Sequence, residues 1–149
     1  MKASQLGAMV SVICLASGPQ GGRGAGDGRD ELQGVWAATA GEIRGKPATT
    51  QEIRGTRFTF KGNQLLVRSP TLGVREVEGT FEADRREAPR RVDIDLIKLD
   101  GIWYGIYEVK GDELRVCYRI GGKPEDRPTT FATAETESLI LIAFKRQKP

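Results

Sequence analysis

The sequence has 149 residues, 38% of them hydrophobic and 29% charged, so it has the length of one domain and the polarity of a soluble protein. Its 23 basic and 20 acidic residues give a net charge of +3 with the two signs interleaved, which argues against a nucleic-acid-binding protein. It contains no histidine, the commonest general base and metal ligand. We therefore expect a non-catalytic protein with no metal and no cofactor.

The N-terminal segment predicts export. Leu6 to Ala16 is an apolar run with the length of a signal-peptide core, and it is too short to span a bilayer as a helix. Residues 1–17 are therefore predicted to be a signal peptide, and the mature protein to be periplasmic or extracellular, with no membrane span. A lipoprotein signal acylated at Cys14 is the alternative, which Ile13 disfavours because such signals place a small residue there.

A glycine-rich stretch, residues 18–30, follows and predicts a flexible linker. A phosphate-binding loop is disfavoured because no strand precedes the stretch, no helix follows it and the Lys-Ser/Thr ending is missing. The domain then covers residues 31–149. Signal cleavage leaves Cys117 as the only cysteine, so no intramolecular disulfide is expected, and a packed strand cysteine is favoured over a reactive thiol.

The domain consists of short segments in which apolar and polar residues alternate, separated by turn residues; this pattern predicts antiparallel strands. Eight strands are predicted, at residues 32–42, 57–61, 64–69, 74–82, 91–98, 102–110, 113–120 and 138–145. Gly62-Asn63 and Gly111-Asp112 are two-residue turns typical of hairpins. Thr49 with Glu52 has the capping-box spacing and predicts a helical turn, and residues 125–130 are a second candidate for one.

Strands in hairpin succession favour an all-β fold, either a sandwich or an up-and-down barrel. We expect an eight-stranded antiparallel up-and-down barrel, because closure removes the exposed edges of an open sheet. The interior of an eight-stranded barrel is just wide enough for side chains or for one small ligand.

The motif Leu32-x-Gly34-x-Trp36 resembles the first-strand signature of lipocalins and their calycin relatives. The resemblance implies a structural closure in which Trp36 packs against a basic residue near the end of the last strand, here Arg146. The whole chain resembles a lipocalin-like domain of unknown function that is expanded in planctomycete bacteria. The other matching segments are Phe58-Thr59-Phe60-x-Gly62, Glu78-Gly79-Thr80-Phe81, Gly105-Ile106-Tyr107-Glu108, Gly111-Asp112-x-Leu114-x-x-Cys117, Arg127-Pro128-Thr129-x-Phe131 and Lys145-Arg146. The resemblance implies a lipocalin-like barrel and brings no assigned activity.

The inward faces of the predicted strands provide candidate barrel-lining residues. These are Trp36, Phe58, Phe60, Phe81, Leu114, Val116 and Tyr118. They form either the wall of a pocket for a small apolar or amphipathic ligand or a solid core. A filled barrel would instead act as a structural or protein-interaction module, with a partner that the sequence does not identify.

Two pairs of carboxylates, Asp93 with Asp95 and Glu76 with Glu78, each share one face of a strand. Such pairs can perform acid–base chemistry or bind calcium. Alternation places both pairs opposite the apolar face, so we expect them on the solvated exterior. The arginine-rich turn around Pro89 also contains acidic residues and is interpreted as a solvated turn.

Overall fold

A computed structural model of the chain describes residues 27–70, 73–99, 101–135 and 138–148. Its elements in chain order are α1 (Arg29–Leu32), β1 (Gly34–Ile43), β2 (Lys46–Pro47), α2 (Thr50–Ile53), β3 (Arg57–Lys61), β4 (Gln64–Ser69), β5 (Val74–Asp84), β6 (Arg90–Leu96), β7 (Ile102–Lys110), β8 (Glu113–Arg119) and β9 (Leu139–Gln147). The predicted signal peptide lies outside the described residues. None of the described helices has the length and hydropathy needed to cross a membrane.

Strand β1 and strands β3 to β9 form a closed antiparallel barrel, in which each strand pairs with the next and β9 returns to β1. The closing seam pairs Trp36 with Arg146 and Glu42 with Leu141. The two-residue β2 only extends the end of β1. The predicted eight-stranded antiparallel barrel is confirmed, and each predicted strand overlaps one strand of it.

Two of the hairpins form at the turns that the sequence predicts. Gly62 and Gly111 have positive φ angles of 63° and 61°, which glycine adopts without steric cost. Pairing then proceeds outward from each turn, beginning with Lys61 opposite Gln64 in the β3–β4 hairpin. Local turn chemistry therefore sets the register of both hairpins.

Alternation along the strands separates an inner from an outer set of side chains. In β3, for example, Phe58 and Phe60 are buried inside the barrel, whereas Arg57 and Lys61 are exposed outside it. The interior core consists of Leu32, Trp36, Phe58, Phe60, Leu65, Val67, Phe81, Val92, Ile94, Leu96, Trp103, Tyr107, Leu114, Val116, Tyr118, Ile140, Ile142 and Phe144.

The N-terminal part of the described chain closes one end of the barrel. Leu32 of α1 is fully buried there, and Gly28 donates a backbone hydrogen bond of 3.1 Å to Ala83. A Cβ atom on Gly28 would lie 1.9 Å from the Tyr107 hydroxyl, so a side chain at this position would displace Tyr107. Residues 27–30, the last part of the stretch predicted to be a linker, therefore lie against the barrel. We call this end of the barrel the closed end.

Helix α2 lies at the opposite end, which we call the mouth. Its N-cap Thr49 accepts a hydrogen bond from the backbone of Glu52, whose side chain bonds back to Thr49, and this forms the predicted capping box. The second helical-turn candidate corresponds to a short 3-10 turn at Pro124–Asp126.

Residues 121–135, the strap, run across the outside of the barrel between β8 and β9. Arg127 of the strap donates a 2.8 Å hydrogen bond to the carbonyl of Gly105, and Thr133 bonds to the carboxylate of Glu42. The hydrogen bonds from Thr133 hold the pKa of Glu42 below its usual value. Ile106 and Cys117 face outward, yet they are buried on this side of the barrel. Cys117 is therefore packed, as predicted, in an apolar layer outside the lumen.

Candidate functional site

The candidate lining residues are brought together inside the barrel. Phe81 lies at 2% exposure and Phe60 at 3%, and the remaining members are buried as completely. The complete set is Trp36, Phe58, Phe60, Phe81, Leu114, Val116 and Tyr118. No member of it is left facing an open lumen.

Ring-to-ring contacts occupy the space that a ligand would need. The ring centroids of Phe58 and Phe144 lie 4.8 Å apart, and those of Phe60 and Phe81 are also 4.8 Å apart in an edge-to-face contact. Trp103 stacks on Tyr118 at 5.1 Å with an interplanar angle of 2°. Aromatic pairs at these separations attract each other in addition to burying apolar area. The lumen is therefore lined and filled by the same side chains.

The cavity that borders Tyr118 measures about 10 Å³. A water molecule needs roughly 10–15 Å³, whereas pockets for small ligands usually have on the order of 300–1,000 Å³. The cavity lies beneath α2 at the mouth and has room for one water molecule.

At the closed end, the Arg146 guanidinium lies 4.1 Å from the centroid of the Trp36 ring, so the structure brings these two residues together. Arg146 also donates hydrogen bonds to the carbonyls of Gln33 and Glu31, and Trp36 Nε1 donates to the carbonyl of Leu32 at 2.8 Å. The guanidinium and the indole N–H both have hydrogen-bond partners within the chain, so we interpret their contact as structural. It fixes α1 to the seam between β1 and β9.

A second polar cluster at the closed end centres on Glu31. The Glu31 carboxylate accepts hydrogen bonds from Arg90 Nη1 at 2.6 Å and from the Tyr107 hydroxyl at 3.2 Å. Burial and the neighbouring Glu31 carboxylate raise the pKa of Tyr107. Because every polar atom named here has a partner within the cluster, the arrangement seals this end of the barrel.

Sequence reasoning missed three of the large interior rings, Trp103, Tyr107 and Phe144. Trp103 and Tyr107 lie on either side of Gly105 on the inner face of β7. The alternation of β7 with a period of two residues therefore indicates that both side chains point inward. Phe144 lies in β9, whose sequence is almost continuously apolar, so periodicity alone does not distinguish its inner from its outer face.

Tyr118 differs from Tyr107 because its hydroxyl has no hydrogen-bond partner among the described residues. The residue is fully buried, and this burial raises the pKa of its phenol. Thr56 and Ser69, the buried polar residues of the barrel, line the same small cavity. This hydroxyl is the one polar group of the filled interior whose bonding the described chain leaves incomplete.

Replacing Tyr118 with phenylalanine should leave the free energy of unfolding within about 1 kcal/mol of the wild-type value. The reason is that the hydroxyl bonds to no group of the described chain, so the substitution breaks no hydrogen bond between protein groups. The measurement is denaturant unfolding of both proteins, with Tyr107→Phe as the control. The control should lose about 1.5 kcal/mol, because it removes a hydrogen bond to a carboxylate. A loss at position 118 as large as that in the control would contradict the prediction.

The exterior of β5 and β6 bears an open depression of about 580 Å³ with charged walls. Its walls carry four acidic and four basic side chains, and six of these eight form ion pairs of 2.7 to 3.0 Å. These pairs are Arg29 with Asp27, Arg86 with Asp84, and Arg127 with Asp93. The depression therefore has no excess of either sign.

The two carboxylate pairs lie outside the barrel, where alternation predicts them. Asp93 forms an ion pair with Arg127 of the strap, whereas Asp95 is exposed. Glu76 and Glu78 are exposed on β5. In the described ranges, no group of three or more His, Cys, Asp or Glu side chains is arranged to hold a metal ion.

Comparison with known proteins adds no relative to this description: no family model, curated protein or solved structure matches the chain.

Proposed function

We propose that this chain is an exported, non-catalytic, lipocalin-like barrel whose filled interior serves as a scaffold and whose outer surface binds its partner. The observation that carries the proposal is the packing of Phe58, Phe60, Phe81 and Trp36, which meet other side chains on the inside of the barrel. Export follows from the apolar segment Leu6 to Ala16, and the lipocalin-like assignment from the motif at Trp36.

The filled interior favours a scaffold function, because burial of these rings stabilises the fold. Each fully buried aromatic or aliphatic side chain contributes about 1.5–3 kcal/mol relative to its exposed state. A ligand that replaced them would have to restore this contribution and also displace Phe60 or Phe81 from their edge-to-face contact. A partner that binds the outer surface of the barrel displaces none of these rings.

The experiment compares uptake of indole, a small apolar probe, by the wild type and by Phe60→Ala. The wild type should show no binding and no shift in Tm with the probe. The variant should lose about 3 kcal/mol of stability, because a large buried ring becomes a cavity, and that cavity should bind indole and recover part of the loss. Isothermal titration calorimetry and thermal unfolding measure both effects.

Phe131, which is half-buried beneath Arg115 outside the barrel, provides the matched control. Phe131→Ala removes a ring of the same size without opening the lumen, so it should bind no indole. Binding of indole or of a fluorescent fatty acid by the wild type with a 1:1 stoichiometry would overturn the proposal of a filled scaffold.

A second candidate function is the binding of a small amphipathic molecule at the mouth, and the hydroxyl of Tyr118 is the observation that favours it. A ligand with one polar group could bond to this hydroxyl if α2 moved away from the cavity. Protection of the wild type by such a ligand, absent in Tyr118→Phe, would support this function in preference to the first.

A further inference from the structure

Three cations and one alanine form a row across four adjacent strands on the outside of the barrel. Lys145 of β9 lies opposite Ala37 of β1, Ala37 lies opposite Arg57 of β3, and Arg57 lies opposite Arg68 of β4. All three cationic side chains are exposed, and Ala37 between them is half-buried. We call this set the cationic row.

The three side chains of the cationic row form no ion pair within the part of the chain that the structure describes. Arginines elsewhere on the barrel do form such pairs, for example Arg90 with Glu31 at 2.6 Å. The nearest acidic residues by register limit the row at its two ends. Glu113 lies opposite Lys145, and Glu76 lies beside Arg68 across a bulge in β5.

The direct pairing of Arg57 with Arg68 has a cost for the fold. Like charges directly opposite each other on neighbouring strands are destabilising. The inner neighbours of these arginines, Phe58 and Val67, are fully buried, so the core holds the two strands in this register. Because the core keeps Arg57 and Arg68 side by side despite their repulsion, we interpret the pair as part of a surface whose function needs both charges.

The geometry of the cationic row fits an extended anionic chain. Neighbouring strands lie about 4.8 Å apart, so four strands spread the three cations over roughly 14 Å in a line. The methyl group of Ala37 leaves the space between Lys145 and Arg57 open. The guanidinium groups can bind carboxylate or sulfate groups through two parallel hydrogen bonds.

Two other polyanionic partners fit this surface less well. Binding to a membrane needs apolar side chains that enter the lipid, but Ile97 and Ile120, the exposed large apolar residues of the described ranges, lie outside the four strands of the row. Single-stranded nucleic acid is held by aromatic platforms as well as by cations, and the outer positions beside the row are Thr59 and Leu66.

We propose that the cationic row binds an extended acidic polysaccharide through its carboxylate or sulfate groups. This inference rests on the proposed function, because it identifies the part of the outer surface that binds and the chemistry of the partner.

The test uses polygalacturonate and heparin as the carboxylated and sulfated probes. Binding to the full-length mature protein is measured by calorimetry at low and at physiological salt. Arg68→Glu should weaken binding at least tenfold, and a rise in salt should weaken binding by the wild type, since association with a linear polyanion releases counterions. Lys98→Glu is the control: it makes the same change in net charge on an exposed lysine of the β6–β7 turn.

Thermal unfolding distinguishes loss of binding from loss of folding. Arg68→Glu places opposite charges across the β3–β4 pair and a like charge beside Glu76, so the two effects offset each other and its Tm should stay close to that of the wild type. Arg57→Gln, which removes the positive charge but keeps a polar side chain, should also bind more weakly. Reduced binding with an unchanged Tm supports the proposal.

Four results would overturn it: no binding of either probe, wild-type affinity in Arg68→Glu, an equal loss in Lys98→Glu, or tighter binding to phosphatidylglycerol vesicles or single-stranded DNA than to both polysaccharides. None of these results concerns the lumen. The indole experiment therefore reports on the filled scaffold independently of the cationic row.

Discussion

Replacing Trp36 with alanine should lower the free energy of unfolding by about 5 kcal/mol, a large part of the 5–15 kcal/mol typical of a domain. The indole ring is fully buried, so its removal leaves a cavity at the closed end. It also removes the 2.8 Å hydrogen bond to Leu32 and leaves Arg146 without the ring on which it lies. Urea unfolding followed by circular dichroism gives the value directly.

Trp36→Phe is the graded control, because it keeps an aromatic ring but loses the hydrogen bond to Leu32. It should cost about half as much as the alanine substitution. A double-mutant cycle with Arg146→Met isolates the contact between the ring and the guanidinium, expected to be about 0.5–2 kcal/mol. A loss below about 1 kcal/mol for Trp36→Ala would show that the closed end does not depend on this residue.

Substitution of Gly79 by alanine should destabilise the protein by about 4 kcal/mol, more than the roughly 1–3 kcal/mol typical of overpacking. A Cβ atom there would lie 2.2 Å from the carbonyl oxygen of Asp95 and 2.8 Å from Cα of Leu96. Both are backbone atoms of the neighbouring strand β6, so no rotation of a side chain relieves the contact. The strands β5 and β6 would have to separate.

Gly111→Ala separates this steric effect from the general cost of replacing glycine. Gly111 has a φ of +61°, and nothing lies within 4 Å of its added Cβ, so only backbone strain of about 1–2 kcal/mol is expected. Thermal unfolding of the two variants side by side measures the difference. Equal losses at the two positions would mean that β5 and β6 adjust to the added methyl group.

Local chemistry explains why most of the fold was predictable. The alternation of Phe58 and Phe60 with polar residues defines the inner face of β3, and Gly62-Asn63 defines the turn that follows it. The capping box at Thr49 likewise depends on residues three positions apart. Features of this kind can be read from a few consecutive residues.

The features that were missed depend on contacts between distant parts of the chain. In the sequence Gly28 is one more glycine of a glycine-rich stretch, whereas in the structure its lack of a side chain makes room for the Tyr107 hydroxyl. The burial of Ile106 on the outer face depends on the strap, which has no periodic pattern.

The candidate site likewise has features that the local sequence predicts and features that depend on distant contacts. The identity of the inward-facing residues follows from alternation, but whether the rings of Phe58 and Phe144 meet across the lumen depends on the diameter of the barrel. In the cationic row, the pairing of Arg57 with Arg68 follows from the Gly62-Asn63 hairpin. The neighbouring position of Lys145 follows only from closure of the barrel.

The seam between β1 and β9 also has a kinetic consequence. It joins the first and last strands of the described chain, so the barrel cannot close until residues 139–147 are available to pair. Contacts of such long sequence separation slow folding, because the loop must close before the contacts stabilise it. Until then β1 and β8 are both unpaired edges, and the chain stays incompletely folded until β9 is available to pair with them.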